Sequence, residues 1–241
     1  MWRAEIDGRR LGFHLTGINN QNFLMQDEQT GSWWQQVTGE ALFGPLKGRH
    51  LDLVFHDEIS FDLWKEEHPG GRVLRPDDSA PWREFSKDWE AETEKLPVVT
   101  PARPGDPFAP REVIAGISLR GSSKAYPLAA VRRQSPVLDS LAGTPVVLVV
   151  ADDGRSLRAF ERVVDGRELQ LFARPGGPPS RLVDAETGSE WSFAGEAVRG
   201  PLAGKKMAQL YVLLDDWFDW RTHHPETAVY RSLQPKVTPA S

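Results

Sequence analysis

Residues 27–48 read DEQTGSWWQQVTGEALFGPLKG, and residues 184–204 read DAETGSEWSFAGEAVRGPLAG. The two stretches align with one deletion after the tryptophan of the second, and they share the triplets Thr-Gly-Ser, Gly-Glu-Ala and Gly-Pro-Leu. The match continues downstream at fixed spacing to His68-Pro69 and His224-Pro225. Self-similarity at constant spacing indicates a duplicated structural unit. The chain therefore predicts two copies of one strand-rich unit of about 60 residues.

Turn and cap residues predict the local structure of each copy. Asp7-Gly8 and Asp165-Gly166 favour tight hairpin turns, because both residue types tolerate positive φ. Asp27 and Asp184 stand where a carboxylate can accept hydrogen bonds from turn amides. A short helix is expected to close each copy, over Ile59–Glu67 and over Trp217–His223 with Asp216 as its N-cap. Proline after the histidine ends both helices.

The region between the copies predicts a helix and a linker. Residues 77–95 place Trp82, Phe85 and Trp89 at helical spacing, opposite a charged face. Residues 97–110 contain five prolines, which favour an extended linker. We therefore expect a first, N-terminally incomplete repeat over 1–76, a helix and linker over 77–110, and a second, complete repeat over 111–235.

The second copy is preceded by a segment that the first copy lacks. Its pattern predicts strands over Val113–Leu119 and Lys124–Tyr126, a helix near Leu128–Arg133 and a buried strand over Val146–Val150. The predicted fold class is α+β, mainly antiparallel β. It has two related strand-rich halves, each closed by a short helix, and a bridging helix.

Composition excludes several functional classes. The chain has no cysteine, which rules out disulfides and thiolate chemistry on its own residues. The net charge is −5 and the basic pairs are scattered, so nucleic-acid binding is not expected. The first ten residues show no signal-peptide core, and the longest apolar stretch, Val146–Ala151, is too short to span a bilayer. A soluble protein is expected, with a cytoplasmic location for the chain as given and no transmembrane segment.

The sequence resembles the domain of unknown function 3179 family. The resemblance depends on Val113 to Tyr126-Pro127-Leu128, followed by Gly143-Thr144-Pro145-Val146. It continues with Asp184-x-x-Thr187-Gly188-Ser189-x-Trp191 and ends with Gly200-Pro201-Leu202-x-Gly204 and Trp217-x-x-Trp220-x-x-x-His224-Pro225. It covers residues 111–231 well and residues 2–76 as a partial second copy.

The resemblance implies a thiol redox or metal centre that this chain does not carry. Typical members have a Cys-x-x-Cys pair, in some cases with selenocysteine, after the strand that matches Val146–Val150. Those two positions fall on Ala151 and Gly154, and a family histidine falls near Gln134. None of these side chains is a thiolate or an imidazole, so the chemistry that the family implies cannot be carried over.

Four ionisable residues that recur in both copies are the candidates for catalysis: Glu40, Glu196, His68 and His224. Carboxylate and imidazole together could form an acid–base set. The alternative is structural, since both histidines lie at predicted helix ends, where imidazole suits the helix dipole.

Three further groups of side chains could in principle form binding, metal or catalytic sites. Trp33 is predicted to face away from buried Trp34, so it is a candidate ligand-binding surface. His50, Asp52 and His56 would share one face if HLDLVFH were a strand, but the second copy does not repeat them and no metal site is predicted. The pairs Asp152-Asp153 and Asp215-Asp216 are interpreted as turn and cap residues.

The sequence favours a non-catalytic binding or scaffold module with no cofactor and with an unknown small molecule or protein as its partner. One alternative is an enzyme that uses the carboxylate and histidine groups. Another is a redox protein whose true start lies upstream and includes a Cys-x-x-Cys segment.

Overall fold

The computed structural model describes residues 1–19, 22–74, 88, 91–92 and 95–231. The predicted helix over 77–95, with its stripe of Trp82, Phe85 and Trp89, lies almost wholly outside the described residues. In the described part of the chain, no helix combines the length and the apolar character needed to span a bilayer.

The first half contains one four-stranded antiparallel sheet, one small hairpin and one helix. The sheet order is β3-β4-β5-β6, and β1 pairs with β2. The elements are β1 (Glu5–Ile6), β2 (Arg9–Arg10), β3 (Phe13–Asn19), β4 (Asn22–Asp27), β5 (Trp33–Gln35), β6 (Ala41–Phe43) and α1 (Phe61–Glu67).

The second half contains three four-stranded sheets, a hairpin and two helices among the described residues. Its elements are β7 (Val113–Leu119), β8 (Ser122–Pro127), α2 (Leu128–Gln134), β9 (Val137–Leu141), β10 (Thr144–Val150), β11 (Leu157–Glu161), β12 (Val163–Val164), β13 (Arg167–Glu168), β14 (Leu171–Ala173), β15 (Leu182–Asp184), β16 (Glu190–Trp191), β17 (Ala197–Arg199), β18 (Ala208–Leu210), β19 (Leu213–Asp216), α3 (Trp217–His223) and β20 (Ala228–Val229). The sheet orders are β14-β15-β16-β17, β18-β11-β10-β9 and β19-β7-β8-β20, and the hairpin is β12-β13.

The predicted fold class is confirmed. The described strands pair antiparallel except β20, which runs parallel to β8. The predicted strand Val113–Leu119 has its expected bounds, and the helices at Ser60 and Asp216 begin and end close to the predicted residues. Valine, isoleucine and leucine dominate β7 and β10, as expected for strands buried in a core.

The chain after the Asp7-Gly8 turn forms two separate strands, β2 and β3, rather than one. The chain changes partner at this point, because Leu11 N–H donates to Ala4 C=O whereas Gly12 C=O accepts from Glu28 N–H. The second half divides in the same way, with Leu169 N–H donating to Arg162 C=O and Gln170 C=O accepting from Ala185 N–H. A single extended stretch of sequence can therefore pair with two different strands.

Asp27 and Asp184 form the same turn in the two halves, and the prediction that they accept turn amides is confirmed. Asp27 accepts from Thr30 N–H at 2.6 Å and from the indole N–H of Trp34 at 2.9 Å. Asp184 accepts from Thr187 N–H and from the indole of Trp191 at the same two distances. Both indoles are fully buried, so each aspartate satisfies the one polar atom of a core tryptophan.

The cores around the two tryptophans differ in how they are covered. In the second half, Phe160 of β11 packs on Gly195, and Val147 and Val149 of β10 extend the same core. In the first half, Trp2 packs on Gly39 in the place of Phe160. The described residues of the first half include no strand that pairs with Trp2 as β10 pairs with Phe160.

Trp64 occupies the place of Trp220 in the first half, but it is not a core residue. Trp220 is 2% exposed and lies on Gly116 of β7, where any side chain would collide with its ring. The first half has no counterpart of β7 among its described residues. Trp64 is instead half-buried and stacks on Phe61, with ring centroids 5.6 Å apart.

Candidate functional site

The two positions at which the family resemblance places cysteines lie in one tight turn. Ala151 N–H donates to Ser156 C=O, and Gly154 N–H donates to Ala151 C=O. Ala151 is buried in the core around Trp191. The turn therefore joins β10 to β11 and carries no side chain capable of thiol chemistry.

Asp153 holds this turn closed. Its carboxylate accepts from the N–H groups of Arg155 and Ser156, both at 2.8 Å, and from the Ser156 hydroxyl at 2.5 Å. Burial alone would raise the pKa of Asp153, but the hydrogen bonds from Ser156 and Arg155 outweigh it and lower the pKa to about 2. The turn interpretation of Asp153 is thereby confirmed, and its charge is retained over the ordinary pH range.

The same turn receives the first half of the molecule. Ser60, the N-cap of α1, donates its backbone N–H to the Ser156 hydroxyl at 2.9 Å. Arg158 of β11 is 5% exposed and lies between Asp57 and Glu67, both of the first half. Its guanidinium donates to Glu67 through two bonds of 2.7 Å and to Asp57 at 2.7 and 3.0 Å. We call this ion triad the Arg158 clasp.

The repeated glutamates lie at equivalent places on the surface of their own halves. Glu40 forms an isolated bridge to His50, with its carboxylate 3.9 Å from the imidazole. Glu196 forms the matching bridge to Lys206, and their charged groups are 3.2 Å apart. Each glutamate thus faces a basic neighbour across a strand pair, which is an arrangement that stabilises sheets.

The repeated histidines end their helices, as the sequence predicts. His68 and His224 each donate a backbone N–H to the tryptophan carbonyl four residues earlier, Trp64 or Trp220. The His224 ring lies 3.8 Å from the Trp220 ring, and burial lowers the pKa of His224, with a smaller effect from His223. Glu40 and Glu196 pair with His50 and Lys206 rather than with either of these histidines, so the structure does not bring the four candidate residues together.

Trp33 and the segment HLDLVFH show why local alternation is a weak guide. Trp33 is partly covered and packs edge-to-face on Phe43, with centroids 6.1 Å apart. The segment from His50 to His56 is not a strand; it makes only isolated bridges through His50 and Leu53. Among the described residues, no three histidine or carboxylate side chains are grouped so that they could hold a metal ion.

A cleft of about 280 Å³ lies between the two halves. Its walls combine aromatic, amide and acidic side chains with the N-terminal amine of Met1 and the His56 imidazole, which lie 3.0 Å apart, and no lysine or arginine of the described chain lines it. The residues used below are Trp2, Gln36, Glu58, Tyr211, Asp215 and Asp219. The cleft is placed by contacts across the halves, since the Glu58 carboxylate accepts from the Leu214 amide and the His56 ring lies 4.7 Å from the Tyr211 ring.

Two carboxyl oxygens of residues that line this cleft are buried without a hydrogen-bond donor. They are Oδ2 of Asp215 and Oδ1 of Asp219. Asp219 as a whole is 7% exposed, and its Oδ1 lies 3.5 Å from the His223 imidazole. Leaving a buried acceptor without a donor costs about 1–3 kcal/mol. The cleft therefore has unused capacity to accept hydrogen bonds.

The ionisation of the cleft is shifted in one direction. Burial raises the pKa of Asp215 to about 8, and repulsion from Asp219, Asp216 and Glu58 adds to the effect. Burial also raises the pKa of Glu58, although His56 and the N-terminal amine partly offset it. The Tyr211 pKa is raised to about 12 by burial and by the carboxylates of Glu58 and Asp215. Three acids thus share a confined space that favours their neutral forms.

A larger and more open depression of about 760 Å³ lies near Phe108 and Tyr230. Its basic residues Arg133 and Arg231 are exposed to solvent, and its acid Glu112 is partly buried. None of its lining residues in the described chain holds a buried polar atom without a partner. The cleft is for this reason the better candidate site.

The sequence predicts turn and cap roles for Asp215 and Asp216. Their positions next to the helix fit these roles, but their side chains do not perform them. Asp216 is the N-cap of α3, but its carboxylate bonds Arg111 at 2.9 Å instead of a helix amide. Asp215 faces the cleft. The available signal was the spacing of four between Asp215 and Asp219, which the sequence does not distinguish from an ordinary solvated helix start.

Comparison with known proteins gives a family without an assigned activity. Residues 1–227 match the family described as Protein of unknown function (DUF3179). No curated protein and no solved structure matches the chain.

Proposed function

We propose a binding function for this chain, which belongs to the family described as Protein of unknown function (DUF3179). It acts as a non-catalytic binding module, and the cleft between its halves holds a small organic cation such as an aliphatic amine or a guanidinium compound. The observation that carries the proposal is the pair of buried carboxyl oxygens, on Asp215 and Asp219, that lack a donor.

An ammonium group fits the chemistry of this cleft. It supplies three N–H donors and a positive charge, which the two unpaired oxygens and the Glu58 carboxylate can accept. Trp2 and Tyr211 line the same space, and aromatic faces attract cations that are removed from water. The cleft volume suits a ligand of a few carbon atoms rather than a cofactor.

Binding is coupled to proton release. With a pKa of about 8, Asp215 holds a proton at neutral pH in the empty cleft. A cation beside the carboxyl favours the ionised form and displaces that proton. Affinity for the cation should therefore increase as the pH rises towards 8 and level off above it.

Isothermal titration calorimetry with putrescine tests this proposal. We expect binding of putrescine, none of the uncharged 1,4-butanediol, and proton release that appears as a dependence of the observed heat on the buffer's ionisation enthalpy. Asp215→Asn should weaken binding at least about tenfold, in line with loss of a charge-assisted bond of 1.5–3 kcal/mol.

Asp62→Asn is the matched control. Asp62 is an exposed acid of α1 that pairs with Lys65 and does not line the cleft. This variant should bind putrescine like the wild type. Equal binding by Asp215→Asn, or no heat with putrescine and with arginine, would show that the cleft is not a cation site.

A further inference from the structure

The hairpin β3–β4 of the first half is longer than its counterpart in the second. β3 has seven residues and β4 has six, whereas β14 and β15 have three each. Several apolar side chains of this hairpin are exposed to solvent. Leu15 is 60% exposed, Ile18 65% and Phe23 39%, and Ile18 lies directly opposite Phe23 in the strand register.

β3 is also an open edge of its sheet. The sheet order is β3-β4-β5-β6, so one side of β3 has no strand partner in the described chain. The alternate backbone groups on that side face outward and can pair with another strand. A register shift between Leu15 and Gly17 is the only irregularity along this edge.

Two of the usual protections of an edge strand, charged side chains and prolines, are missing here. Residues 13–26 read FHLTGINNQNFLMQ and contain no lysine, arginine, acid or proline. The corresponding edge of the second half continues as FARPGGPPSR over residues 172–181, with two arginines and three prolines. Charged side chains and prolines are the devices that prevent strands from pairing across an edge. One half of this protein has them and the other does not.

We infer that β3 pairs antiparallel with β3 of a second copy of this chain. β3 has no charged side chain that could pair with a charged partner strand, so burying such a partner's charge would cost free energy. A second copy of β3 avoids this cost, because neither strand brings a charge into the contact. A two-fold axis across β3 makes the contact self-complementary, so it closes as a dimer. The two four-stranded sheets then form one sheet of eight strands. This surface is independent of the cleft and of the function proposed for it.

Sedimentation velocity over a range of about 1 to 200 μM tests the inference, a range that suits a small interface. The wild type should shift from the monomer mass of 27.0 kDa towards twice that value, 54.0 kDa. Leu15→Lys and Ile18→Lys should raise the dissociation constant at least tenfold, since lysine on an edge strand opposes pairing. Hydrogen exchange of residues 13–19 should slow with concentration in the wild type and not in these variants.

Phe172→Lys is the matched control. Phe172 is 58% exposed on the equivalent edge strand β14, and its replacement should leave dimer formation unchanged. A wild type that stays monomeric throughout, an Ile18→Lys variant that dimerises like the wild type, or an equal loss of dimer in Phe172→Lys would each overturn the inference. Circular dichroism of each variant separates loss of the dimer from loss of the fold.

Discussion

The second half packs its sheet β14-β15-β16-β17, which contains Trp191, against the strand pair β10–β11. The first half packs the equivalent sheet β3-β4-β5-β6, which contains Trp34, against Trp2. Val147, Val149 and Phe160 belong to the core around Trp191, and Trp2 is the corresponding cover of Trp34. The first half compensates by using the second, through α1 and the Arg158 clasp. The comparison shows that a motif can keep the hydrogen bonds of its aspartate turn and still depend on different surroundings for its burial.

The cleft follows from the same difference. Trp2 and Gln36 of the first half face Tyr211, Asp215 and Asp219 of the second across it. The second half fills the matching side of its own sheet with apolar side chains of β10. Where the second half has an apolar core, the first half thus borders a polar cleft, whose unpaired carboxyl oxygens belong to the second half.

Replacement of the two core tryptophans gives the largest expected effect. Trp191→Ala should lower the free energy of unfolding by about 4–5 kcal/mol and Trp34→Ala by about 3 kcal/mol, because large-to-small changes cost more in a more extensive core. Hydrogen exchange should show Trp34→Ala loosening residues 1–54 while β7 to β11 stay protected, and Trp191→Ala loosening both halves. If Trp34→Ala accelerates exchange in β7 to β11 as much as in residues 1–54, the two halves unfold as a single unit. The predicted difference between the halves would then be wrong.

Removal of the Arg158 clasp should have the next largest effect on stability. Arg158→Ala leaves Asp57 and Glu67 without their cation, and both carboxylates are about one quarter exposed. Breaking a buried ion pair costs 3–5 kcal/mol, and partial exposure reduces this to about 2–3 kcal/mol. Urea unfolding should measure the loss, and exchange in α1 should accelerate first.

Arg155→Ala serves as the control for the clasp, because Arg155 is an exposed arginine of the neighbouring turn. It should change stability by less than about 0.5 kcal/mol. Comparable losses in the two variants would mean that general charge, and not the clasp, joins the halves.

Asp215 should make stability fall as the pH rises. Its pKa is raised to about 8 in the folded protein, against about 4 when unfolded, so the folded state binds more protons between these values. Asp215→Asn should match the wild type below pH 4 and exceed its stability above pH 8, by about 2 kcal/mol. Thermal unfolding at pH 3, 6 and 9 provides the measurement, and a constant difference across pH would refute the raised pKa.

Asp153 should act in the opposite direction and more weakly. Its pKa is lowered to about 2, so its stabilising effect is present above pH 4 and disappears as the pH falls through about 2. Because Asp153 is largely exposed, the loss in Asp153→Asn at pH 7 should be only about 1 kcal/mol. Acid unfolding should show the variant and the wild type converging near pH 2; parallel curves would contradict this account.

Local rules predicted much of the fold. Asp-Gly turns, the Asp27 and Asp184 caps, the strand Val113–Leu119 and the proline-ended helices all depend on residues that are near in sequence. The same rules failed for HLDLVFH, whose alternation suggested a strand, because sheet pairing requires a partner that the pattern cannot reveal.

The candidate site was not predictable for a related reason. Asp215 becomes part of a site only because Glu58 and Tyr211 come together across the halves, and Glu58 is separated from Asp215 by more than half of the chain. Arg158 has no local signature of a clasp, since its two acids lie in the other half. Long-range placement, rather than residue type, distinguishes these groups from solvated charges.

The titration of Asp215, followed by carbon-13 NMR of its side-chain carboxyl and assigned with Asp215→Asn, tests the central claim most directly. The account predicts a midpoint near pH 8 in the free protein and a midpoint at least about one unit lower with saturating putrescine, because the cation favours the carboxylate. A midpoint near pH 4 in the free protein, or one that putrescine leaves unchanged, would contradict it.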